Sequence, residues 1–250
     1  MKLENRVTLI TGAAGAGIGR GIARSFAAEG SKLIITDASA ERSSSVADAI
    51  GREYGVPTLG IGCNVTIRNE VEAAVSHGIE KFGRIDVLVN NAGTNRPKTI
   101  VEMPDEAWEL VINTSLRGTF YACRAVLPSM MEHHFGRIIN ISSTAAFMGL
   151  KAGHAHYAAA KAGVLAFTRC LAMEGAEHCI TANAIAPGFI YNEFIPHLYP
   201  SEEIVRMEES IPYPRKGTPE DVGLTALFLA TDGEYITGQT ICVAGGAWMR

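Results

Sequence analysis

Seven short apolar runs, each but the last trailed by a stretch of helical periodicity, constrain this chain more than any other feature. They are Arg6 to Ile10, "KLIITD" ending at Asp37, Leu59 to Cys63, "IDVLVNN", "RIINISS", "TANAIAP" and Thr240 to Val243. Most lack polar alternation, the pattern of strands buried on both faces, which is the habit of parallel sheets sandwiched by helices. Between them lie a helix with Ile18, Ile22, Ala23 and Phe26 on one side and another from Glu41 to Tyr54. A stripe of Val71, Val75, Ile79 and Phe82 follows Thr66, its prospective cap. Helical segments from Asp105 to Asn113 and on through Met131, from Tyr157 to Glu174, and a Pro219-led "PEDVGLTALFLA" complete the series. Right-handed crossovers make this one doubly wound, Rossmann-type α/β domain, with a parallel sheet of about seven strands and helices on both faces. No repeat, low-complexity stretch or linker divides residues 1–250.

Charge and cysteine usage narrow the function classes. A formal net charge of -4 argues against a nucleic-acid surface. No run of about 20 apolar residues could span a bilayer, and the start does not read as a signal peptide. The cysteines are scattered and form no C-x-x-C, which fits a reduced, cytoplasmic setting. His154-Ala155-His156 has no acidic or cysteine neighbour at ligand spacing, so it reads as a loop and no metal is expected.

Two stretches carry chemistry. The turn after the first strand, "TGAAGAGIGRG", brings glycine backbone and a helix N-terminus together, the arrangement that receives a pyrophosphate. A strict G-x-G-x-x-G cannot be written, because the third glycine falls on Arg20; the position after strand one favours the nucleotide reading. Asp37, ending strand two, can accept the ribose hydroxyls of an adenosine and would repel a 2′-phosphate, favouring NAD over NADP. The second stretch is "YAAAK", with Tyr157 and Lys161 one turn apart on a helix face. A phenol titrates near ~10, and a neighbouring ammonium favours phenolate, which suits an acid/base working at a carbonyl oxygen.

With these residues in place the sequence resembles the short-chain dehydrogenase/reductase family over essentially its whole length. The likeness rests on "TGAAGAGIG", Asp37, "NVT" at Asn64, "NNAG" at Asn90 to Gly93, Asn113, "NISS" ending at Ser143, Tyr157, Lys161, Pro187-Gly188 and "ITGQ" at Ile236. The resemblance implies an oxidoreductase in which Tyr157 is the acid/base and Lys161 tunes it and bonds the nicotinamide ribose. Ser143 orients the substrate oxygen, and Asn113 interrupts its helix to hold a relay water. Ser142 is the less favoured serine, since a strand alternates its faces. Cofactor contacts are implied at Gly12, Gly17, Ile18 and Gly19, at Asn64 and Val65 by the adenine, and at Asn90, Ala92 and Gly93, which would also steady the sheet. Pro187, Gly188, Ile190 and Asn192 would lie by the carboxamide.

Four departures stand out. Gly12 and Gly17 have four residues between them where the family has three. Asn64 replaces an aspartate, Asn192 a threonine, and Ser143 lies one residue further from Tyr157 than is usual. The segment 189–213 is expected to form a lid made apolar by Phe189, Tyr191, Phe194, Ile195, Leu198 and Tyr199, over a small apolar secondary alcohol or ketone. The expected activity is NAD(H)-dependent interconversion of such a pair. Its rivals are a 3-oxoacyl-thioester (acyl-carrier-protein) reductase, a non-catalytic dinucleotide-binding module, and a scaffold with a vestigial pocket. The resemblance also implies a homotetramer, with the 117–133 and 157–174 helices on one axis and the C-terminal strand and Pro219 helix on another.

Overall fold

The computed structural model describes every residue except Lys151, Ala152, Phe194, Tyr199 and Arg250, and omits the side chains of His197 and Leu198. Strands β1 (Val7–Thr11), β2 (Lys32–Asp37), β3 (Thr58–Gly62), β4 (Val87–Asn90), β5 (Gly136–Ile141), β6 (Ile180–Pro187) and β7 (Thr240–Val243) form one parallel sheet, ordered β3-β2-β1-β4-β5-β6-β7. The helices are α1 (Ile18–Ala28), α2 (Ala40–Tyr54), α3 (Arg68–Phe82), α4 (Asp105–Ile112), α5 (Gly118–Glu132), α6 (Ala155–Gly175), α7 (Ile195–Leu198), α8 (Ser201–Glu209) and α9 (Pro219–Ala230).

Pleating divides the core in two. Ile10, Leu33, Ile35, Val87, Val89 and Ile139 point to one face, where α1, α2 and α9 supply Ile22, Phe26, Ile50, Val222 and Leu229. Leu9, Ile34, Leu88 and Ile138 point to the other, met by Val71 and Val75 of α3, Val126 and Met130 of α5 and Leu171 of α6. The inner strands β1, β4, β5 and β6 are buried along their length because both faces are covered.

The chain winds outward from β1 to β3, then returns to place β4 beside β1. Loops leaving these two strands therefore diverge, and a crevice opens at their C-terminal ends. Opposite it, Asp86 is fully buried and accepts from Arg6 and Arg84, each at 2.8 Å, and from the Val7 N–H at 2.9 Å. This ties β1 to the start of β4 at the far end.

Two expectations change. Helix α3 starts at Arg68 with no side-chain cap, because Thr66 turns its hydroxyl to the Asn64 amide oxygen at 2.9 Å. His154-Ala155-His156 enters the first turn of α6. His156 is fully buried there, its Nε2 3.0 Å from the Arg96 carbonyl. Among the described residues no group of three or more His, Cys, Asp or Glu is placed to hold a metal, and no helix is long and apolar enough to cross a membrane.

Candidate active site

The glycine turn after β1 and the "NNAG" turn after β4 are clipped together by Asn91. Its amide donates to the carbonyls of Thr11 and Gly12 at 3.0 and 2.8 Å, while the Thr11 hydroxyl accepts the N–H groups of Asn91 and Ala92. Gly12 sits at φ +63°, and a Cβ there would come within 2.7 Å of Ala92. One at Gly19 would strike the Asn91 amide at 2.5 Å. The additional loop residue is absorbed inward: Ala13 and Ala14 are buried, and the Ala13 N–H donates to Thr36 at 3.0 Å. Gly17 is the N-cap of α1 and no side chain caps that helix. A Cβ on Gly17 would meet nothing nearer than Asn192 at 4.0 Å, so the loop faces open space suited to an anion at a helix N-terminus.

A cavity of about 550 Å³ runs from that loop past Asp37, Asn64 and Val65 to Ala92, Gly93 and Asn192. Asp37 accepts from Arg42 at 2.8 Å and from the Ser39 N–H at 3.3 Å. Asn64 is more occupied than expected, its amide oxygen taking both the N–H and hydroxyl of Thr66. Cys63 also lines this cavity, and burial, helped by Glu70, pushes its thiol up to about 11, making it inert. Asn90 faces the other way. It is buried, donates to Asn140 at 2.9 Å and steadies the sheet, without lining the cavity. The glycine cradle, the uncapped helix and the strand-end carboxylate fit a dinucleotide.

An adjoining cavity of about 610 Å³ shares Ile18, Gly93 and Asn192 with the first and continues to Ser143, Tyr157, Lys161, Pro187, Gly188 and Ile190. Ser143, leaving β5, starts the 3₁₀ turn Thr144–Ala146 and accepts from the Ala145 N–H at 3.1 Å. Ser142 also lines this cavity, but its hydroxyl is engaged, donating to the Lys161 carbonyl at 2.8 Å. Lys161 is 4% exposed; its Nζ donates to the Ile141 carbonyl at 2.8 Å and lies 5.7 Å from the Tyr157 ring centroid. Burial lowers its pKa to about 8. Asn113 begins a π-helical turn, Asn113–Arg117, in which its carbonyl accepts the Gly118 N–H. Its amide donates to Glu109 at 3.2 Å; its buried Oδ1, like the Ser115 hydroxyl, has no hydrogen-bond partner among the described residues. Such π-turns concentrate at functional sites.

This pattern is matched in known proteins. A family model described as enoyl-(acyl carrier protein) reductase covers residues 12–247. A 3-oxoacyl-[acyl-carrier-protein] reductase of Synechocystis is 43% identical over 99% of this chain and 98% of its own. The chain is a short-chain dehydrogenase/reductase. Another relative of this dehydrogenase/reductase is the short-chain reductase protein NovJ of Streptomyces niveus, 41% identical over 97% of this chain and 94% of its own. A solved structure from Sinorhizobium meliloti, described as a short-chain alcohol dehydrogenase, superposes with a TM-score of 0.92 at 32% identity, covering 98% of this chain and 97% of the other. This protein therefore belongs to a family of oxidoreductases that bind a nicotinamide dinucleotide.

Several site residues escaped the sequence reading. Asn91 was in view, but which asparagine of the pair faces the crevice depends on where β4 stops pleating. Arg42 pairs with Asp37 across a helix start that only the fold brings near. Asn95, Arg96 and His154 add a polar wall to the second cavity. The Asn95 amide lies 2.8 Å from His154 Nδ1, and burial followed by His156 lowers the His154 pKa. Of the lid residues, Phe189 and Ile195 line this cavity, joined by Met207. Tyr191 lies under Lys216, whose Nζ is 4.5 Å from its ring centroid. Phe194 and Tyr199 lie outside the described residues, as does the side chain of Leu198.

Proposed function

We propose that this dehydrogenase/reductase interconverts a ketone and a secondary alcohol with NAD(H), and that the ketone is the 3-oxo group of an acyl thioester. The observation that carries the chemistry is the meeting of Ser143, Tyr157 and Lys161 on one cavity that opens onto the glycine crevice. The full-length likeness to relatives named 3-oxoacyl-[acyl-carrier-protein] reductases supports the substrate class over the small apolar ketone that the sequence suggested.

Gly12, Gly17, Ile18 and Gly19 would hold the pyrophosphate, Asp37 and Val65 the adenosine, and Gly93, Pro187, Gly188, Ile190 and Asn192 the nicotinamide end. When bound, the dinucleotide supplies or accepts the hydride. Tyr157 then passes a proton between its phenolic oxygen and the substrate oxygen. Ser143 orients that oxygen, and the Lys161 charge favours phenolate as the proton leaves. Asn113, at its π-turn, holds the water through which the proton is replaced. Asp37 is what favours NADH over NADPH, because a carboxylate at the end of β2 opposes a 2′-phosphate.

A second reading, oxidation of a free secondary alcohol, is favoured by Asp37 and by the apolar wall of Phe189, Ile190, Ile195 and Met207. Consumption of NADH and of NADPH with acetoacetyl-thioester and with free ketones of graded polarity decides between them. The proposal expects the thioester with NADH to give the highest kcat/KM, by about tenfold or more. Higher values with free ketones would install the second reading, and dinucleotide binding without turnover would make the protein a sensor. Tyr157→Phe should lower kcat at least about 10²-fold with NADH binding intact; retained turnover would remove Tyr157 from the mechanism.

A further inference from the structure

The tail of the chain joins two walls of the cleft. Beyond β7 the backbone turns at Gly245 and Gly246, with φ +57° and +84°. The Gly245 carbonyl accepts the Tyr213 N–H at 2.9 Å. A Cβ on Gly245 would come within 2.7 Å of Ile211, and one on Gly246 within 3.3 Å of Pro212, so the tail is pressed against the end of the lid. Trp248 then lies flat on Phe147, with ring centroids 4.3 Å and planes 12° apart.

Phe147 ends the turn that Ser143 begins, and its neighbours Thr144, Ala145 and Leu150 line the substrate cavity. Next to the stack, Met148 and Leu150 are 41% and 39% exposed. We propose that Trp248 is a positioning residue, the end of a strap that fixes the serine loop relative to the lid and so sets the width of the cleft for the substrate's acyl part. This rests on the proposed function for its kinetic readout. Ser143 keeps its own bond to the Ala145 N–H, so loss of the strap loosens substrate binding and leaves the chemical step in place. A stacked aromatic pair is worth up to a factor of about ten in an equilibrium, which sets the size of the effect.

The test uses the full chain with whichever oxo substrate it turns over best. Trp248→Ala and Phe147→Ala should each raise the KM for that substrate about five- to tenfold, with kcat within about twofold and the dinucleotide KM unchanged. Trp248→Phe, which keeps a stack, should restore KM to within about twofold, and the double variant should be no worse than either single one. Independent losses that multiply in the double variant, an equal rise in the dinucleotide KM, or no change in KM would each overturn the proposal. A second arm needs no turnover, so it separates failure of the strap from failure of the proposed function. The chain has two tryptophans, so in Trp108→Phe the emission comes from Trp248. Adding Phe147→Ala should shift that emission to longer wavelength and increase its quenching by acrylamide; unchanged emission would show that the strap is not anchored there.

Discussion

Lys161 brings a cation into the interior, and the fold bears the desolvation. Its pKa falls from the usual 10.5 to about 8. Below about pH 8 both folded and unfolded chains hold the proton, and the full cost stands. Between about 8 and 10.5 the unfolded chain keeps a proton that the folded chain has shed, so this group's contribution to stability rises with pH across that window. Lys161→Met should therefore be more stable than the parent at pH 7, by on the order of 3 kcal/mol, in the absence of dinucleotide. The gain should fade as pH approaches 10.5, and thermal melting at pH 7 and 10 measures it. A variant that melts lower at pH 7, or a gap that ignores pH, would contradict this account. At this scale the sequence was most legible where one residue type has one job. Tyr157, Lys161 and Ser143, singled out by spacing and resemblance, line one cavity. Asn91 was passed over for Asn90, because only the pairing of Asn90 with Asn140 shows which side chain stays in the sheet. His154 was missed because its partner Asn95 comes from another segment, and Arg42 because the spacing alone does not show that it turns back from the start of α2 onto Asp37.

Among the elements, the strands were all located, with ends off by up to about two residues, because runs buried on both faces have few other uses. Helix starts were less legible: Thr66 has the chemistry of a cap but spends its hydroxyl on Asn64. The π-turn at Asn113 was expected as an interruption, and its i→i+5 bond shows the form it takes. The pairing of α1 with α9 could not be read at all, since nothing local signals contact between distant helices. They meet through glycines: a Cβ on Gly21 would lie 2.5 Å from Pro219, and one on Gly223 2.4 Å from Ser25. Gly21→Ala should consequently lower stability by about 1–3 kcal/mol, because overpacking here pushes backbone against backbone. Denaturant titration checks it, and an unchanged midpoint would mean that the helices can part at no cost. Helix α9 is otherwise well secured, its Asp221 carboxylate held at a pKa of about 2, first by Arg215 and then by the Thr218 cap.

At the level of the whole molecule, apolar side chains remain on two surfaces. Leu224, Phe228 and Tyr235, 61%, 42% and 102% exposed, surround α9, while Phe120 and Met173, 40% and 80% exposed, lie on α5 and α6. Both groups lie on or beside the helices that the family resemblance puts at the axes of a homotetramer. Light scattering at micromolar concentration should return the mass of four chains, and Leu224→Arg should reduce it to that of two. A single-chain mass for the parent would refute the assembly. The parallel sheet of about seven strands was legible because the strand pattern leaves little choice, whereas the order of those strands was not read. The tail was not legible: nothing local shows that Trp248 comes to lie half-buried against Phe147 of its own chain.

The glycine-to-glycine crossing also bears on how the polypeptide is made. Helix α1 is complete at Ala28, but its cover begins only at Pro219. As the ribosome works toward that point, Ile22 and Phe26 have only part of their final surroundings, and the nascent chain must be sheltered meanwhile. A message cut short upstream of Pro219 would release a product with that face bare, prey to aggregation or proteases even though every strand but the last had already been translated.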